Sequence, residues 1–203
     1  MLSAKGTLVV PVQALVRRDL SVCAPKFACA VANAVTACHA VGPSRQFPQG
    51  LDLYVYEAER TQELQTRYWE LGRTVVPPHK VVTNAQHVMR SHHFWRCAVD
   101  MISAKNGWGY GDSDHTDQDE LEWIRAVAEE IKPLGLKWGG DWRQRDYPHF
   151  YWHEYAVSPT ERSFELYYQG TGWDWRRRGL KPIADRYEHE AGLRRVWLEV
   201  GAL

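Results

Sequence analysis

Two histidines and an aspartate, His93, Asp100 and His149, are of the types that hold a hydrolytic metal ion. Such a zinc site usually takes three ligands from His, Asp or Glu and leaves a fourth position to water, which the metal acidifies toward about pH 7. Asp146 lies three residues before His149 and supplies a carboxylate able to relay a proton to a leaving amine. Taken singly, each histidine is more often a packed or surface residue than a ligand. Only the combination argues for a metal.

Spacing decides which elements must carry these groups. His93 and Asp100 are separated by an odd number of positions, so one continuous strand would point them to opposite faces. His93 is therefore expected in a loop and Asp100 on a strand. Asp146 and His149 would also diverge on a regular strand, but Pro148 between them removes a ladder donor and favours a bend. That bend would turn both side chains into one cleft.

Stepping along the chain, the Asp19-Leu20-Ser21 segment reads as a helix start, and Ala-rich sequence from Pro25 to about Ala40 as a buried helix ended by Gly42-Pro43. Leu51 to Tyr56 alternates like a strand, and Thr61 to Leu71 forms a helix closed by Gly72. Pro77-Pro78 breaks the chain, a polar loop runs from Asn84 to His93, and Ala98 to Ile102 reads as a buried strand. Asp117 with Glu120 resembles a capping box opening a helix to about Lys132. A tight turn from Trp138 to Trp142 leads to a last strand over Asp146 to Tyr151, and a tail follows with a helix from Pro182 to Glu199. Strands and helices mix without regular βαβ order, which predicts an α+β fold with a small antiparallel sheet flanked by helices.

The 203 residues suit one domain with a sizeable core, with or without a short appendage. Lys+Arg and Asp+Glu balance at 25 each, so no global charge points to nucleic acid. The apolar content of 44% excludes a disordered chain. No apolar run reaches the roughly 18 to 20 residues of a membrane span. Thr7 to Val16 has the character of a short signal-peptide core, but Arg17, Arg18 and Asp19 stand where a small-residue cleavage site belongs, so no signal peptide is expected. Cys23, Cys29, Cys38 and Cys97 lack CxxC spacing and read as packed thiols of a protein made in a reducing compartment. The acidic stretch from Asp112 to Glu120 lacks the glycine of a calcium loop and reads as a solvated loop with a helix cap.

The motifs around these residues resemble those of the M15 zinc peptidases, the group of phage L-alanyl-D-glutamate endolysins and D-alanyl-D-alanine carboxypeptidases and dipeptidases. Ser91-His92-His93 followed by Ala98-Val99-Asp100 is similar to the family's SxHxxGxAxD signature. Glu59-Arg60-Thr61 with Gln65, Tyr68 and Gly72-Arg73-Thr74 resembles its YRT helix. Trp138 to Trp142 and then Asp146-Tyr147-Pro148-His149-Phe150 resemble its WGGDW and DxPHF ending. The resemblance covers roughly residues 17 to 155.

It implies a Hedgehog/D,D-peptidase-like fold with a single cleft holding Zn2+. His93, Asp100 and His149 would be its ligands, Asp146 the general base, and Arg60 and Ser91 contacts to substrate oxygens. The expected activity is hydrolysis of a peptidoglycan stem-peptide bond such as L-Ala-D-Glu by an endolysin-like endopeptidase. A D-Ala-D-Ala carboxypeptidase or dipeptidase is the alternative, or a non-catalytic cell-wall-binding module. The expected organisation is a peptidase domain over 1–157 and an extension over 158–203 packed on it, in a monomer with no nucleic-acid partner. Synthesis in a host cytoplasm and action on the wall after release at lysis would follow. One departure stands beside the site: the family's glycine three residues after the first ligand is Arg96 here. Either the loop takes another path, or Arg96 points to solvent or substrate.

Overall fold

The computed structural model describes residues 15–48, 50–75, 81–104, 107, 118–152 and 160–203, the side chains of 119 and 120 excepted. In chain order it has α1 (Pro25–Ala40), β1 (Leu53–Glu57), α2 (Gln62–Glu70), β2 (Ala98–Ser103), α3 (Gln118–Ile131), β3 (Lys137–Trp138), β4 (His149–Tyr151), α4 (Glu161–Tyr168), α5 (Trp175–Arg178) and α6 (Arg186–Glu199). Single 3-10 turns at Leu20–Val22, Val88–Arg90, His92–Trp95, Lys132–Leu134 and Gly139–Asp141 fill several connections. The strands form one sheet in the order β1-β2-β4-β3, antiparallel at each pairing. This is the α+β architecture that the mixed element order predicts.

The helices start and stop where local chemistry dictates. Pro25 opens α1, and Asp19 caps the separate turn before it rather than the helix itself. Thr61 caps α2 by accepting from the Leu64 N–H. The lone positions that require glycine freedom include Gly135, at φ +90°, which ends the Lys132–Leu134 turn after α3. The expectations for Pro77-Pro78, for the acidic residues 112–117 and for the Asp117 cap lie outside the described residues, as does most of Thr7 to Val16.

The central strand β2 is buried along its whole length. Its alternation divides the sheet into two faces. Val99 stands opposite Phe150, and Met101 opposite Val55, on the face that joins the core with Phe27, Val31, Ile124 and Val127. Asp100 stands opposite His149 on the other face. Among the described residues, no helix is long and apolar enough to cross a membrane.

The last strand is shorter than expected. It begins at His149, while Asp146 to Pro148 form a turn in which the His149 N–H donates to Asp146 O. Trp138, read as the start of a turn, instead joins Lys137 in a two-residue edge strand beside β4. The tail holds α4 and α5 in addition to the helix expected at its end.

Candidate metal centre

Each candidate ligand sits on an element its neighbours fix. His93 rides the 3-10 turn His92–Trp95, whose start is capped by Ser91 Oγ accepting from the His93 N–H at 3.3 Å. Asp100 lies in mid-β2, and its cross-strand partner on β4 is His149. Directly opposed residues in an antiparallel pair share a face, so their side chains meet. His93 from the turn, Asp100 from the strand and the bend before His149 agree with the parity argument drawn from the sequence.

The three side chains converge on one point. His93 Nε2 lies 3.2 Å from His149 Nδ1 and 3.2 Å from Asp100 Oδ1, and His149 Nδ1 lies 3.0 Å from Asp100 Oδ1. All three residues are buried. Among the described residues, this is the group of His, Cys, Asp and Glu whose donor atoms cluster as metal ligands would. Tetrahedral zinc with bonds of about 2.0 to 2.2 Å spaces its ligand atoms roughly 3.3 to 3.6 Å apart, so a small adjustment admits the ion. Buried lone pairs this close need a cation between them, and the arrangement leaves the second nitrogen of each ring, His93 Nδ1 and His149 Nε2, to carry its proton outward. Both of those nitrogens are buried without a hydrogen-bond partner, and His93 Nδ1 faces the Glu57 carboxylate at 3.7 Å. The donor set therefore fits zinc.

Glu57 is the member the sequence reading missed. Simple alternation from Leu53 and Val55 would place it on the core face, but a bulge between Val55 and Glu57 sets it opposite Asp100. It is 1% exposed, accepts from Arg60 Nε, and takes the Tyr68 hydroxyl at 3.0 Å. Arg60 also reaches Asp100 Oδ2 at 3.4 Å and lies over the Tyr68 ring at 4.9 Å. Desolvation opposes the Arg60 charge, yet Glu57 and Asp100 raise its pKa above the ordinary value. Burial first, and then the Glu57 charge, push the Tyr68 hydroxyl up as well. Asp100 is desolvated too, but His93 and His149 hold its carboxyl well below the usual carboxylate range.

Aromatic groups form the adjoining wall. His92 stacks on Tyr151 with ring centroids 5.3 Å apart, and Trp142 lies 5.1 Å from the His149 ring while donating from Nε1 to the Tyr151 hydroxyl at 2.9 Å. Tyr151 follows His149 by two positions on β4, a spacing that puts both on one face. Desolvation, with the neighbouring His149 and His93 charges, lowers the His92 pKa to about 3, so this ring stays neutral.

Asp146 keeps a solvent-exposed surface, yet protein surrounds it closely enough that desolvation raises its pKa. Asp100 adds to that rise, whereas His149, Arg60 and His93 oppose it. The Asp146 backbone is pinned by donation to Gly139 O at 3.1 Å. A Cβ at Gly139 would stand 2.5 Å from Asp146 O and 3.1 Å from His149 Cβ, so this position requires glycine.

Arg96 takes neither direction expected of it. Its backbone keeps the left-handed conformation, φ +59°, that a glycine would adopt freely. Its side chain turns into the protein, where Nε and Nη2 donate to Glu59 Oε1 at 2.9 and 2.6 Å and Nη1 meets the Glu190 carboxylate at 2.9 Å. Its guanidinium is thus spent on Glu59 and Glu190 and not on the His93, Asp100 and His149 group. Cys97 is buried, desolvation pushes its thiol up, and it stands outside the ligand group.

Residues 83–152 match the family model described as "D-alanyl-D-alanine carboxypeptidase" in the M15 peptidases. The chain is 32% identical over 106 residues to the peptidoglycan L-alanyl-D-glutamate endopeptidase CwlK of Bacillus subtilis, covering 50% of this chain and 60% of that protein. It is 28% identical over 154 residues to the L-alanyl-D-glutamate peptidase of Listeria phage A118, covering 71% of this chain and 43% of that one. The crystal structure of the Serratia marcescens L-Ala D-Glu endopeptidase ChiX overlaps 72% of this chain and 92% of its own, with a TM-score of 0.45 and 19% identity. The chain thus spans 60% and 43% of the two sequence relatives. The His93 turn and the strands bearing Asp100 and His149 lie inside the segment that matches the M15 peptidase model.

Proposed function

We propose that the protein is a zinc-dependent peptidoglycan endopeptidase that hydrolyses a stem-peptide bond of the L-Ala-D-Glu type. The observation that carries this reading is the convergence of His93 Nε2, Asp100 Oδ1 and His149 Nδ1 within 3.2 Å of one another, with the Asp146 carboxylate near enough to feel all three. The names of the two sequence relatives support the choice of bond. Zinc held there supplies a Lewis acid that polarises a peptide carbonyl and makes water acidic enough to deprotonate near neutral pH.

The protein's own groups do the rest. Asp146 takes the proton from the attacking water and delivers it to the leaving nitrogen, and its raised pKa suits a group that must hold that proton between the two transfers. Asp100 stays ionised, which keeps one negatively charged ligand in the set. Arg60 spends donors on Glu57 and Asp100 and offers the remainder of its planar fork to substrate oxygens. Ser91 positions His93 through its backbone and stands beside it as a second contact for the peptide. His92, Trp142 and Tyr151 wall the cleft and exclude water on that side.

The description of the matching family favours one other reading, a D-Ala-D-Ala carboxypeptidase built on the same metal and base. Mass analysis of muropeptides after digestion separates the two. Release of the stem peptide from the muramic-acid-linked alanine supports the endopeptidase, and loss of a terminal D-Ala alone would replace it with the carboxypeptidase.

A further inference from the structure

The turn that carries His93 is gripped from one side by the C-terminal segment, residue by residue. Phe94 packs edge-on against Tyr167 at 5.5 Å and against His189 at 5.6 Å. Trp95 is fully buried against Phe164 and Tyr167, and its carbonyl accepts from Trp197 Nε1 at 2.9 Å. Arg96 donates its N–H to His93 O at 3.1 Å and sends its guanidinium to Glu190 on α6. The same guanidinium binds Glu59, the residue before Arg60.

One side chain thus ties together the turn bearing a metal ligand, the segment bearing Arg60 and the last helix. Arg96 does so from a left-handed backbone position where a side chain brings strain, which its ion pairs must offset. The nearly balanced charge of the tail gives no comparable argument for a wall-binding role.

We propose that the segment over 160–203 is a positioning element of the metal centre, acting on His93 through the Arg96–Glu190 and Trp95–Trp197 contacts. The inference rests on His93 being a zinc ligand. Glu190 and Trp197 are positioning residues, since neither touches the metal or the substrate. This contact set replaces the freedom of a glycine hinge with a fixed turn, so the His93 ring is held ready for the ion.

The test uses the full chain and zinc alone as probe. Zinc affinity is measured by competition with a chelator for wild type, Glu190→Gln and Trp197→Phe, alongside their thermal midpoints. Val127→Ala, in the part of α3 that joins the core, serves as a control of similar thermal loss. Removal of groups that orient metal ligands weakens binding by 10 to 100-fold, and about tenfold is expected here for Glu190→Gln and for Trp197→Phe. Val127→Ala should keep wild-type affinity. Arg96→Gly combined with Glu190→Gln should bind zinc no more weakly than Arg96→Gly alone, because the two changes break one contact. Wild-type affinity in both Glu190→Gln and Trp197→Phe would overturn the proposal while leaving the zinc site standing. Absence of zinc binding by wild type would overturn both.

Discussion

In the proposed mechanism catalysis turns on Asp146, because the three ligands could hold zinc in a protein that cleaves nothing. Asp146→Asn keeps the shape of the side chain and removes the base. The expected result is full zinc content with a peptide-cleavage rate lowered by about 10² to 10⁴. A residue that merely oriented His149 would instead lose zinc when changed, by roughly 10 to 100-fold. Metal content and rate measured on one sample separate these roles, and a near wild-type rate would leave the water to some other group. Arg96 shows the opposite lesson at the same scale. A side chain in the left-handed region costs on the order of 1 to 2 kcal/mol, so its place there calls for compensation, and buried pairing with Glu59 supplies it.

At the scale of elements, what positions the site is a pairing of strands and a turn packed against Gly139. The Asp100–His149 pair depends on where β4 begins, and β4 begins where the Asp146 turn ends. Gly139→Ala would force its new methyl into Asp146 O and against His149 Cβ. We expect a loss of about 1 to 3 kcal/mol in stability, the range for overpacking, together with weaker zinc binding. Calorimetry and chelator competition on this variant check both, and an unchanged zinc affinity would show that the turn does not set the His149 position. Much of this was legible in the sequence. The odd spacing from His93 to Asp100 placed one in a loop and one on a strand, and Pro148 marked the bend, since both follow from strand alternation and the missing proline donor. Glu57 was not legible, because a bulge that no local residue announces reverses its face. The short helices α4 and α5 were missed for a related reason: at eight and four residues they offer too few turns for a periodic signal.

Across the whole molecule, the contacts between the tail and the turn that carries His93 have a pH dependence. His189 lies between Phe94 and Tyr167, with its Nδ1 2.6 Å from the Tyr167 hydroxyl. Desolvation, and then the Arg96 charge, lower its pKa below the ordinary histidine value. The folded protein therefore favours the neutral ring more than the unfolded chain does. Its contribution is fully present above about pH 6.5 and is lost as pH falls through the lower folded value. Thermal midpoints followed from pH 7.5 down to pH 5.5 should drop more steeply for wild type than for His189→Gln, and parallel slopes would contradict that assignment.

The claim beneath all of these is that the chain holds zinc on His93, Asp100 and His149. Elemental analysis of wild type and Asp100→Ala after identical zinc loading and removal of free metal tests it most directly. The account predicts about one zinc per chain in wild type and little in the variant, as three protein ligands with an open fourth position require. Wild type without zinc, or Asp100→Ala with as much as wild type, would contradict it.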